Sequence, residues 1–166
     1  MKKGFTIIEV MVAIFIITAG MLGAFSLIQR TIFFTVTNSS RITAAYLAQE
    51  GIEIVRNIRD SNWLEAGVPW DDLLDAGDYE VDYNDADLGP YHDRYLLRVD
   101  GVSVGFYSYD SGSPTRFKRK ITIGKEDLSV SSGGIYDKMT VSVLVEWQER
   151  GTLRQIIVQE NLYNWR

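Results

Sequence analysis

Cysteine is absent from the 166 residues and histidine occurs once, as His92. These two gaps exclude disulfides, cysteine-rich zinc sites, thiol nucleophiles and any centre that needs two imidazoles from one chain. They say nothing about the compartment, because a chain without thiols suits oxidising and reducing surroundings alike. Positive charge is also in deficit. Lys plus Arg number 17 against 22 Asp plus Glu, a net charge of −5, so no global field draws the chain to nucleic acid or anionic lipid. Nucleic acid is therefore not an expected partner. What is present is 46% hydrophobic, 12% aromatic and 23% charged residues, a composition that builds a packed core. The length fits one domain, or one domain with an appendage.

The apolar residues are unevenly spread. From Phe5 to Ile28 the sequence reads FTIIEVMVAIFIITAGMLGAFSLI, in which Glu9 is the only charge. As a helix this run is about 36 Å long, enough to cross a hydrocarbon core of about 30 Å. Lys2 and Lys3 precede it and Arg30 is the first positive residue after it. By the positive-inside rule the N-terminus is then cytoplasmic and residues 30–166 lie outside. A secretory signal peptide is the alternative, but its apolar region is shorter and ends at a small-residue cleavage site. Glu9 needs a partner, since a carboxylate in hydrocarbon costs about 2.5–3.5 kcal/mol. A cut between Gly4 and Phe5 would leave the α-ammonium of Phe5 one helical turn before Glu9, within the chain or on a neighbouring subunit. Otherwise Glu9 lies shallow, at the headgroups.

The run MKKG-FTIIEVMVAIFIITAGMLGAF resembles the leader and N-terminal helix of type IV prepilins and type II secretion pseudopilins. The likeness rests on a short basic leader ending in Gly4, on Phe5 as the first mature residue, on Thr6, and on Glu9 as the fifth mature residue before an apolar helix. It implies cleavage after Gly4 by prepilin peptidase, N-methylation of Phe5, and a role for Glu9 in setting the register of assembly. One departure is visible: Gly20, Gly23 and Ser26 stand where many major pilins carry a proline. The stretch AAYLAQEGIEIVRNIRDSNW is similar, more loosely, to minor pilins and I-type minor pseudopilins.

No proline interrupts Gln29 to Asp60, so the helix is expected to continue beyond the apolar run. Leu47, Ala48, Gly51, Ile54, Val55 and Ile58 share one arc, opposite Gln49, Glu53, Arg56, Asn57 and Asp60. Such a stripe needs a sheet to lie on. The β-branched, polar stretch 35–43 is the expected bend. After Asp60, short β-branched and aromatic runs predict strands at 79–83, 95–99, 104–109, 117–123, 139–148 and 153–162. In the fifth of these, Met139, Val141, Val143, Val145 and Trp147 alternate with polar residues, broken only by Leu144, and Glu149-Arg150-Gly151 supplies a hairpin turn. The closing aromatics of QENLYNWR are expected to pack on the core. The fold class is thus α+β, a long N-terminal helix on a C-terminal antiparallel sheet, which the resemblance makes type IV pilin-like.

Chemistry is harder to find. Asp78, Asp82, Asp85, Asp87 and Asp93 cluster near His92, but Asp82-Tyr-Asn84-Asp-Ala86 places alanine at the third ligand position of an EF-hand loop and no downstream Glu completes it. A solvated acidic loop is expected, with no metal. His92 has no identified partner and reads as a surface side chain rather than a base. The basic run Arg116 to Lys120 reads as a charged sheet edge, or as a contact for an acidic surface or a DNA backbone. No catalytic residue and no cofactor are expected.

The resemblance therefore implies a structural subunit rather than an enzyme: a minor pilin or pseudopilin held in the inner membrane by one span, then assembled into a pilus or pseudopilus. Its implied partners are prepilin peptidase, other pilin or pseudopilin subunits, the assembly platform, and membrane lipid before assembly. The expected organisation is a leader (1–4), an assembly half of the helix (5–28), an amphipathic half (29–60) and a β head (61–166). The alternative is a signal-anchored extracytoplasmic binding or adhesion domain, whose N-terminus stays uncut and which tolerates Glu9→Leu.

Overall fold

A computed structural model describes residues 4–99, 101, 105–126 and 137–164. The basic leader residues Lys2 and Lys3, and the terminal Trp165, lie outside the described residues. Packing divides the chain into two compact units, Met1–Ser40 and Arg41–Arg166.

The first unit is helical. It holds the start of α1 (Ile7–Leu64), and nearly all its side chains are exposed, the apolar ones included. Helical hydrogen bonding continues through residues 35–43, where a bend was expected. Thr31, Thr35 and Ser40 turn their hydroxyls back onto the carbonyls of Leu27, Thr31 and Val36. Polar side chains that compete with a helix from outside it are here satisfied within it.

Among its described residues the second unit contains the rest of α1 and eight strands: β1 (Gly77–Glu80), β2 (Gly89–Pro90), β3 (Leu97–Arg98), β4 (Tyr107–Ser108), β5 (Ser113–Pro114), β6 (Phe117–Glu126), β7 (Lys138–Glu149) and β8 (Thr152–Tyr163). A five-stranded sheet runs β2-β1-β6-β7-β8, antiparallel throughout, and a small second sheet runs β4-β3-β5. The helical stripe meets the sheet as its period demands. Ala44, Leu47, Ala48, Ile52, Val55 and Ile58 are buried with Ile121, Ile123, Met139, Val141, Val143, Val145 and Trp147. Gly51 is where the two layers come closest, since a Cβ there would lie 3.2 Å from Cγ1 of Val143. The observed class is α+β, with the helix packed on an antiparallel sheet.

Several elements differ in detail from the sequence expectation. The helix runs on to Leu64, and Asn62, instead of starting a turn, donates its amide to the carbonyl of Asp72. The 95–99 run shrinks to Leu97–Arg98, and the 104–109 run to Tyr107–Ser108 with residue 104 outside the described residues. There the loop is pinned by Asp82, whose carboxylate accepts the Ser108 hydroxyl and the Tyr109 N–H, both at 2.7 Å. The β6–β7 and β7–β8 ladders are as long as their alternation suggests, and Arg150 and Gly151 turn the hairpin with φ of 49° and 78°. Leu144 breaks its strand's pattern because it stands on the outer face, across from Ile157. Of the closing residues Leu162 is buried but Tyr163 is exposed, contrary to expectation.

Candidate functional site

The N-terminal end of α1 carries a reciprocal cap. Thr6 stands just before the helix, and its Oγ1 accepts the Glu9 N–H at 3.3 Å. The Thr6 N–H donates to Oε2 of Glu9 at 3.5 Å. This is a capping box, Thr-x-x-Glu, which satisfies two main-chain donors that the first turn otherwise leaves without partners. The signature was legible in the sequence, and attention to the charge of Glu9 alone misses it. Gly4 and Phe5 lie outside the helix, and Phe5 is 84% exposed. Glu9 Oε1 accepts no hydrogen bond among the described residues.

Past this cap the helix is bare. Ile7, Ile8, Met11, Phe15, Ile16, Met21, Leu22, Phe25 and Leu27 are all exposed, and the window apolar enough to cross a membrane has none of its residues buried within the chain. An apolar surface of this extent is not stable in water and calls for lipid or for other copies of such helices.

The head brings the acidic and basic segments together, which the sequence reading kept apart. Glu80 is buried, and its carboxylate accepts from the His92 main chain at 3.1 Å, from Nε of Arg94 at 3.0 Å, and contacts Nδ1 of His92 at 3.0 Å. Burial pushes the Glu80 carboxyl up, but the hydrogen bonds from Arg94 and His92 outweigh it and hold the group below the usual carboxylate range. Asp78 accepts from the Thr122 hydroxyl at 2.6 Å and from Lys120 at 3.2 Å, and both hold its carboxyl low. Asp93 pairs with Lys118 at 2.9 Å. The acidic stretch is therefore not simply solvated: Glu80 and Asp82 are buried and bonded. The basic run pairs with β7 on one side only, since β1 reaches no further than Ile121, and on its other side the Leu96 N–H of the neighbouring loop donates to the Phe117 carbonyl at 2.8 Å. Arg119 points inward and is fully buried, while Lys118 pairs with Asp93 of the loop and Lys120 with Asp78 of β1. His92 is 57% exposed, as a surface side chain, with Glu80 as its contact.

Among the described residues no group of three or more His, Asp or Glu is placed to hold a metal ion. A groove of about 880 Å³ runs beside α1, its lining both apolar, as at Tyr46, Ile54, Ile58 and Leu73, and acidic, as at Glu50, Glu53, Asp85 and Asp87.

Residues 1–25 match the family model described as the prokaryotic N-terminal methylation motif. No curated protein and no solved structure matches the chain. The motif implies processing by prepilin peptidase and assembly with other pilins, and with the apolar helix it supports anchoring in a membrane. The N-terminal signal, with a helix packed against an antiparallel sheet, supports a type IV pilin-like processed subunit of the pilin and pseudopilin kind.

Proposed function

We propose that this protein is a minor subunit of a type IV pilus or type II secretion pseudopilus, cut between Gly4 and Phe5, methylated on the Phe5 amine, and assembled through the first half of α1. The observation that carries the proposal is Glu9, held in the first turn of an apolar helix that the chain itself leaves uncovered. Before the cut, Glu9 caps its own helix. After it, the new α-ammonium of Phe5 lies one turn away from the carboxylate, in the chain or on the next subunit, and an ion pair removed from water sets register more than it adds net stability. The N-terminus faces the cytoplasm before assembly, with the head outside, and apolar helices bundled in a filament replace lipid contacts by contacts with each other. The role is structural: the titratable groups of the head are tied to one another across loop and sheet, as befits a scaffold.

Peptide mass spectrometry of the membrane-extracted protein, wild type against Gly4→Leu, tests this reading. A chain beginning at methylated Phe5, lost in the variant, is expected. A chain beginning at Met1 in both would overturn it in favour of a tethered binding domain, for which the groove beside α1 would be the first surface to probe.

A further inference from the structure

The groove beside α1 is unbalanced in charge. Glu50, Glu53, Asp85 and Asp87 line it, with no Lys or Arg among the described lining residues. Glu50 and Glu53 are already paired, with Arg119 and Arg56. The Asp85 carboxylate accepts only the Asp82 N–H, at 2.9 Å, and that of Asp87 accepts nothing among the described residues. Beside these two stand Tyr46, Leu73 and Tyr83, which are 68%, 56% and 38% exposed. An occupant that suits such a surface is basic and apolar at once.

The β7–β8 hairpin has that chemistry. Over residues 148–154 the one acid, Glu149, is buried, whereas Leu153 is 60% exposed and Arg154 is exposed with no ion pair among the described residues. Its place in the fold keeps it from the groove of its own chain. The lining loop 83–87 follows β1, toward one side of the sheet, and the hairpin ends the other side, with β6 between them. The two are also displaced along the helix. From Gly51 to Arg56 the contacts of α1 move from Val143 to Glu160, the partner of Val141, and so away from the turn. The turn thus lies about 20 Å from Val143, toward the N-terminal end of the helix.

We infer that the β7–β8 hairpin of one copy of this chain docks in the groove of the next, with Arg154 against Asp85 and Asp87 and Leu153 against the exposed apolar lining. The two copies keep α1 parallel, as subunits held by that helix from one side of a membrane must, and are offset along it by about 15–25 Å. Each copy offers a different surface, so the contact is heterologous and repeats without closing, as a filament requires. Copies at one depth in a membrane have no such offset, and the contact therefore forms on assembly. It rests on the filament reading above and names a contact that the heads add to the helices.

The chain has no cysteine, so introduced thiols report contact without background. Full-length Leu153→Cys and Ala86→Cys chains, co-expressed, are oxidised in sheared filaments and in native membranes. A mixed covalent dimer is expected in filaments and not in membranes, and neither chain alone is expected to link. One chain carrying both thiols should give a ladder beyond the dimer, because the contact repeats. Tyr163→Cys, at the far end of β8 and about 33 Å from Leu153, should not link to Ala86→Cys. Arg154→Glu beside Leu153→Cys is expected to cut the linked fraction several-fold, and Asp85→Lys with Asp87→Lys beside Ala86→Cys to restore it. The inference is overturned if filaments holding both chains show no mixed dimer, if Tyr163→Cys links as well as Leu153→Cys, or if the link forms equally in membranes. It is overturned too if the ladder stops at the dimer, or if charge reversal has no effect or is not rescued. Absence of the chain from filaments would overturn the function proposed above and this contact with it, whereas filaments without the link overturn the contact alone.

Discussion

The guanidinium of Arg119 on β6 lies 2.8 Å from the carboxylate of Glu50 on α1, with the arginine wholly buried. Its other donors reach the carbonyls of Leu47 at 3.1 Å and Val81 at 2.6 Å. One side chain thus ties the helix, the central strand and the segment after β1. A buried charge of this kind adds little net stability over an apolar residue, but removing its partner is costly.

Glu50→Ala, which strands the buried guanidinium, is accordingly expected to destabilise the head by about 3 kcal/mol. Adding Arg119→Met to it should recover part of that loss, because the charge leaves with its partner. Urea unfolding of the detergent-solubilised chain checks this. A double variant less stable than Glu50→Ala would refute the arrangement.

Gly51 faces Val143 where helix and sheet come closest, a Cβ there lying 3.2 Å and 3.3 Å from the two valine methyls. Gly51→Leu overpacks the site and should cost about 1–3 kcal/mol despite leucine's better helix propensity. Val143→Ala in the same chain opens room and is expected to restore part of the stability, measurable as a non-additive shift of the urea midpoint.

Glu80 makes stability depend on pH. Its folded pKa lies below its ordinary value, so the stabilisation is complete above the unfolded carboxylate pKa of about 4.3. It is lost as pH falls through the folded value, because the unfolded chain takes up the proton first. Glu80→Gln should therefore melt well below wild type at neutral pH, with the gap narrowing below about pH 4. A gap that stays constant from pH 7 to pH 3 would show that the charge of Glu80 does not matter to the fold.

Glu9→Leu leaves Gly4 and Phe5 unchanged while removing the carboxylate that caps the helix and that, under the proposed function, pairs with the new amine. The variant is expected to be processed to Phe5 and retained in the membrane, yet to be missing from sheared filaments. Normal recovery in the filament fraction would remove Glu9 from assembly.

Periodicity carried far where one rule governed a whole element. The two-residue alternation from Met139 to Trp147 names the buried face seen in the structure, and so does the 3.6-residue stripe from Leu47 to Ile58, except that Ile52 joins the buried face and Ile54 is only partly buried. Periodicity failed where side chains from distant segments decide the backbone. Tyr107 and Ser108 form only a short strand, held by a carboxylate 26 residues earlier. The capping box of Thr6 and Glu9 was written in four consecutive residues, because capping is local.

The sequence by itself determined the apolar span, its one acid, the prepilin-type signal, and the helix and long hairpin whose patterns are local. Only the tertiary structure decided the fate of the charges. Asp78 and Asp93 meet Lys120 and Lys118 across 42 and 25 residues, and Arg119 meets Glu50 across 69. Charge pairing depends on distance in space and on burial, which composition does not encode. It was likewise the sheet order, set by the pairing of β6 with β7 and β1, that left β2 and β8 at the two edges, and a loop bond from Leu96 to Phe117 that covers the basic run.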